Sequence, residues 1–129
     1  MSATNEAVVR DFLESMAVPN TKLSRSLLAD DVVWKNTGLP TVRGRRVGGM
    51  IGSMEKYKIG FGVDFHKVTS AGDEVVTHRT DYLQLGPVRQ SIEIEGHFTV
   101  RDGKITLWDD RFSWLQTLRS TRLGGRVRA

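Results

Sequence analysis

Apolar residues recur at helical spacing through the first third of the chain and alternate with polar ones through the rest. In EAVVRDFLESMA, residues 6–17, Val9, Phe12, Leu13 and Met16 fall on one helical face. Thr4 or Asn5 is placed to cap that helix, and Glu6 sits in its first turn. Pro19-Asn20 breaks it. A second short helix is expected next, with Leu23, Leu27 and Leu28 on one face and Asp30-Asp31 at its end. The β-branched and aromatic run DVVWKNT then reads as a strand, and Gly38 to Pro40 turn the chain. GRRVGGMIGSMEKY predicts a third helix, with Val47, Met50, Ile51 and Met54 sharing a face. Its Gly48, Gly49 and Gly52 each cost about 0.8–1 kcal/mol against alanine, so either a neighbour packs very close there or the segment is loose.

Strict alternation begins at residue 59. GFGVDFHKVTSAGDEVVTHRTDYLQLG predicts two strands joined at Ser70-Ala71-Gly72-Asp73. After a turn at Gly86-Pro87, VRQSIEIEGHFTVRDGKITLWDDRFSW predicts two more, joined at Arg101-Asp102-Gly103-Lys104 with an Asp-Gly hairpin signature. Helices first and antiparallel strands afterwards make an α+β fold, with the helices packed on one face of a curved sheet.

The chain has 129 residues, the size of one domain, and 39% of them are hydrophobic, enough for a core. Having no cysteine, it cannot use disulfides, a thiolate nucleophile or a Cys-ligated metal. No run is long enough to span a bilayer, and MSATNEAVVRDF lacks the basic and apolar regions of a signal peptide. These features predict a soluble, cytoplasmic protein with no membrane partner. The net charge of +4 has a local origin. Arg119, Arg122, Arg126 and Arg128 account for four of the nineteen basic side chains, and the stretch holding them has no acid. Residues 1–118 are therefore neutral and read as the folded domain, with 119–129 as a basic, flexible tail. A nucleic-acid domain would instead carry a basic face, so no nucleic-acid partner is expected.

Side chains two apart on a strand share a face. That rule pairs Trp34 with Asn36, Arg79 with Asp81, and Asp110 with Trp108, Phe112 and Trp114. A carboxylate among three large aromatics needs a partner if the face points inward, and Arg79 is the candidate. Two carboxylates flanking one guanidinium in an apolar cavity can titrate apart, one serving as base and the other as acid. By pattern alone, Arg-x-Asp on a strand also fits a surface salt bridge. Trp108, Phe112, Trp114 and Leu83 fit either plain core or the wall of a pocket. His66, His78 and His97 lie on separate strands without metal-ligand spacing, so no metal site is expected. Gly60-Phe61-Gly62 and Gly48-Gly49 complete no phosphate-binding fingerprint.

The combined motif resembles the limonene-1,2-epoxide hydrolase family. Its carriers are Arg79-Thr80-Asp81, then Gly96-His97-Phe98-Thr99-Val100-Arg101-Asp102-Gly103-Lys104-Ile105, then Trp108-Asp109-Asp110-Arg111-Phe112. Upstream, Trp34-Lys35-Asn36 and Arg43-Gly44 resemble the family's Tyr-x-Asn and Arg-Gly. The resemblance implies a cone-shaped barrel, a strongly curved mixed sheet with about three N-terminal helices over its concave face. It implies that Asp110 acts as general base on a water that Asn36 helps hold. Asp81 would be the general acid and Arg79 the group between them, with no cofactor. Trp34, Leu83, Trp108 and Phe112 would bind a small or medium lipophilic epoxide, and the chain would form a homodimer. Two positions depart from the pattern: Trp34 replaces the family's tyrosine, and Asp109-Asp110-Arg111 replaces Arg-Asp-Tyr. Relatives of the same fold include isomerases and cyclases, so an isomerase, a cyclase or a hydrophobic-ligand-binding module are the alternatives.

Overall fold

The computed structural model describes residues 4–123. Helix α1 (Asn5–Ala17) starts where its capping residue predicts: the Thr4 hydroxyl accepts a hydrogen bond from the Ala7 amide at 3.1 Å. Val9, Phe12, Leu13 and Met16 are buried, as their spacing requires, and Val8 joins them. Phe12 has no exposed surface and meets Trp108 edge-on, with ring centroids 4.9 Å apart.

The second helix is shorter than its leucines suggest. Helix α2 spans only Thr21–Ser26, capped by Asn20, and Leu28 already opens strand β1 (Leu28–Asn36). The cause is a long-range ladder. Leu28 pairs in parallel with Ile105 of strand β6 (Lys104–Phe112), and the Ile105 amide donates to the Leu27 carbonyl at 2.8 Å. Asp30 and Asp31, expected to end the helix, instead lie in β1 where its register shifts between Leu28 and Val33.

Strand β2 (Val42–Arg43) pairs with β1, and helix α3 (Arg45–Lys56) follows. The helix buries Val47, Gly48 and Ile51, whereas Met50, expected on that face, is 45% exposed. One of its three glycines marks a close approach. A Cβ on Gly48 would lie 3.0 Å from Nε and 3.3 Å from Cγ of Arg25, while Gly49 faces open space.

Strands β3 (Gly60–Ala71), β4 (Glu74–Leu85) and β5 (Val88–Arg101) complete the sheet with β6. In the β5–β6 hairpin, Asp102 (φ 52°) and Gly103 (φ 73°) both take the left-handed conformation that a two-residue turn of this kind needs. The strand order is β2-β1-β6-β5-β4-β3, with β1 parallel to β6 and the other neighbours antiparallel. This is the mixed sheet expected. Helix α1 packs against it, so its buried side joins Val32, Val75, Phe98, Val100, Ile105 and Trp108 in one core.

Two elements beyond β6 escape the alternation pattern. Ser113 caps helix α4 (Trp114–Arg119), and strand β7 (Arg122–Leu123) pairs with β5. The described residues therefore hold a fourth helix beyond the three N-terminal ones expected, and Trp114 belongs to it instead of continuing β6. Folded structure also continues past residue 118, where the tail was expected to begin, because Ser120 exchanges hydrogen bonds with the Ser91 backbone of β5. Leu115 and Leu118 of α4 are exposed, and at six residues the helix is too short for its period to stand out in the sequence. Residues 124–129, with Arg126 and Arg128, lie outside the described residues.

Because Phe12 fills the space between α1 and Trp108, Phe12→Ala is expected to destabilise the chain by about 3–5 kcal/mol. Urea denaturation of the two proteins side by side measures this directly.

Candidate active site

Alternation along β4 puts Thr77, Arg79 and Asp81 on the inner face, and β6 brings Asp110 from thirty-one residues away. Arg79 is 1% exposed and spends its guanidinium on three partners. Nε donates to Asp81 Oδ1 at 2.9 Å, and Nη1 donates to Thr77 Oγ1 at 2.9 Å. Nη2 donates to Asp81 Oδ2 at 3.2 Å and to both oxygens of Asp110 at 2.9 Å. Asp110 accepts a further bond from Trp108 Nε1 at 2.9 Å. Asp110 thus receives one more donor contact than the Asp81 carboxylate.

Strand β5 lies between β4 and β6, and its residue at this level is Gly96, paired with Thr77 on one side and Asp110 on the other. A Cβ there would stand 2.2 Å from Arg79 Nη1, 2.7 Å from Thr77 Oγ1 and 3.0 Å from Asp110 Oδ1. The guanidinium occupies the place a side chain would take. Two residues further along β5, the Phe98 ring has its centroid 5.7 Å from Arg79 Cζ. Sequence reasoning passed over Thr77 and used Gly96 only as part of the family motif. The readable signals were a threonine two before the arginine and a glycine interrupting a strand rich in β-branched residues.

The two carboxylates reach an apolar cavity of about 250 Å³, and Arg79 stays behind them. Asn36, opposite Asp110 in the β1–β6 register, also lines it. So do Trp34, Leu83, Trp108 and Phe112, which places every residue singled out for catalysis or binding at or directly behind one cavity. Trp114 contributes from α4, its Nε1 donating to the Thr37 carbonyl at 2.8 Å. Trp34 stacks on Trp108, with centroids 4.2 Å apart and planes 12° from parallel. The Trp34 indole N–H is buried and has no hydrogen-bond partner among the described residues.

Burial pushes the Asp81 carboxyl up to about 6, against the lowering pull of Arg79 and with the help of Asp110. Burial raises Asp110 as well, opposed by Arg79 and by the Trp108 N–H. For Arg79, burial alone would lower the pKa, but Asp110 and Asp81 together hold it above its ordinary value. Asp109 and Arg111 point to the outer face and bridge each other at 3.1 Å. His66 and His97 also lie away from the cavity, bonded to Thr80 and Glu95. Among the described residues, no three His, Cys, Asp or Glu side chains gather as metal ligands.

Residues 3–122 match the limonene-1,2-epoxide hydrolase catalytic domain. The chain belongs to the limonene-1,2-epoxide hydrolase family. It is 38% identical over 105 residues to epoxide hydrolase EphG of Mycobacterium tuberculosis (strain ATCC 25618 / H37Rv), covering 81% of this chain and 70% of that protein. The solved M. tuberculosis LEH-like epoxide hydrolase superposes with a TM-score of 0.86 at 33% identity, over 90% of this chain and 87% of its own. A putative polyketide cyclase from Pseudomonas putida KT2440 superposes at TM-score 0.75 with 13% identity, over 92% of this chain and 98% of its own, and shows the fold alone. The limonene-1,2-epoxide hydrolase pattern thus accounts for the cone-shaped α+β barrel. This member differs from it at Trp34, which stacks on its neighbour where the pattern has a phenol.

Two outcomes follow from this geometry. Gly96→Ala forces a Cβ into the buried guanidinium and is expected to destabilise the fold by about 1–3 kcal/mol, a loss that thermal unfolding will register. The second concerns pH. Asp81 binds its proton more tightly when folded than the ordinary carboxyl value of 3.8. Its stabilising contribution is therefore full below that value and is lost as pH rises toward about 6. Asp81→Asn should lose less stability than the wild type across that interval, as calorimetry at its two ends would reveal.

Proposed function

We propose that this protein is a cofactor-independent epoxide hydrolase that adds water to a small or medium lipophilic epoxide in one step. The observation that carries the reading is the pair of unequal carboxylates sharing Arg79 Nη2 at the wall of an apolar cavity. Asp110, with more donors holding it, is the ionised base and takes a proton from water. Asn36 beside it orients that water. The water oxygen attacks one epoxide carbon while the C–O bond breaks, and the protonated Asp81 delivers its proton to the departing oxygen. A vicinal diol results, and return of one proton from Asp110 to Asp81 through solvent restores the site. Arg79 keeps the two carboxylates at fixed positions and in different protonation states.

Trp34 changes how the water is held. An indole N–H donates but never accepts, whereas a phenol does both. In this reading Asn36 and Asp110 hold the water without a third acceptor, and Trp34 serves as cavity wall through its stack on Trp108. Water and a lipophilic epoxide are the partners the reaction needs, and the family resemblance adds a second copy of the chain. Among the described residues, no helix is long and apolar enough to cross a membrane.

Single-turnover reaction of a small epoxide panel in ¹⁸O-labelled water tests the mechanism. Label is expected in the diol and not in the protein. Asp110→Asn should reduce the rate by about 10²–10⁴-fold with the fold retained. Activity should also decline above about pH 6 as Asp81 loses the proton it donates. Label in the protein, or an unchanged rate in Asp110→Asn, would overturn the one-step scheme. Proton exchange without diol would favour an isomerase or cyclase.

A further inference from the structure

Three neighbouring spaces share wall residues, and one of them borders the carboxylates. The reaction cavity is bounded on one side by Met16, Met54 and Phe61. The same three side chains line a second space of about 60 Å³, together with Ala17 and Gly60. Ala17, Gly60 and Phe61 in turn line an open groove of about 790 Å³ beside the end of α1 and the edge strand β3. Phe61 borders all three.

The residues at these shared walls have an unusual make-up. Met16 and Met54 are unbranched thioethers, which repack around irregular shapes more readily than branched side chains. Phe61 is half-buried and pairs across the ladder with Leu83, itself a wall of the reaction cavity. It stands between Gly60 and Gly62, the Gly-Phe-Gly run that fits no phosphate-binding pattern. Gly60 has no positive φ, and a Cβ on it would meet nothing closer than Gln84 Cβ at 3.5 Å. Neither backbone conformation nor packing demands glycine at that position. Its effect is to keep the groove clear of a side chain beside Phe61.

We propose that these adjoining spaces open into one channel for the unbranched alkyl tail of an elongated epoxide, with Phe61, Met16 and Met54 as the gate that sets substrate length. The inference rests on the epoxide-hydrolase reading and names the substrate class that the site accepts. The epoxide ring sits at Asp81 and Asp110, and the tail passes Phe61 toward the groove, where Glu14 and Lys58 mark the edge of water.

Ala17 lines only the outer two spaces and is exposed at the end of α1, away from the carboxylates and from the cavity around them. Ala17→Phe should therefore block the channel without touching the reaction. With 1,2-epoxybutane, kcat/KM is expected to match the wild type. With 1,2-epoxydodecane it should fall by about tenfold or more, the effect of losing burial of two or three methylenes. Equal losses on both epoxides, or no loss on the longer one, would overturn the channel. Binding separates this inference from the reaction itself. Butane-1,2-diol and decane-1,2-diol can be titrated against the tryptophan fluorescence of Trp34, Trp108 and Trp114, which line the cavity. Tighter binding of the longer diol, abolished by Ala17→Phe, supports the channel even if no epoxide is hydrolysed. Identical binding of the longer diol by both proteins removes it.

Discussion

Arg79 carries a full positive charge into the interior between β4 and β6, and the neighbouring strands compensate for it atom by atom. Breaking a buried ion pair by removing one partner typically costs about 3–5 kcal/mol, so Asp110, held by Arg79 through both oxygens, matters to the fold as well as to the cavity it lines. Thr77 takes the remaining Nη1 contact, and Gly96 leaves the space through which the guanidinium passes. Four positions on three adjacent strands are thereby constrained by one side chain. Each of them alternates onto the inner face, so the sheet register is what delivers them together.

The two carboxylates are unequal because their surroundings differ, although both are buried aspartates bonded to one nitrogen. Trp108 adds a donor to Asp110 alone, which favours the anion there. The same Trp108 packs edge-on against Phe12 and face-on against Trp34. The hydrophobic core and the polar cluster therefore meet in one indole, whose rings belong to the first and whose N–H belongs to the second. Helix α1 helps set the orientation of a group that bonds Asp110, even though Arg79 and the carboxylates come from the sheet.

The barrel alone would not decide the chemistry. A neighbour at 13% identity, named as a putative polyketide cyclase, shares the fold over almost its whole length. What separates one use of this cavity from another is which polar groups converge on it and how deep it runs. Here Asn36, Asp81 and Asp110 line it together with Gln90 and Thr117, and Phe61 and two methionines are among its apolar walls.

Much of this was already legible in the chain. The period of the apolar residues located α1, α3 and the four long strands, and Asp102-Gly103 named its own turn, because these signals depend on near neighbours along the backbone. Strand alternation placed Arg79 beside Asp81 and put Asp110 among aromatics for the same reason. Helix α2 ended early because Leu28 is claimed by Ile105, a partner far along the chain that no local pattern reveals. Helix α4 was hidden because six residues are too few for a helical period to show. Thr77 and Gly96 acquired their roles only when three strands closed around one guanidinium, since a glycine's missing side chain means something only relative to what fills the space. Local periodicity determined the elements and the candidate chemistry, whereas pairing between distant strands decided which side chains meet at the site, because those contacts join residues far apart along the chain.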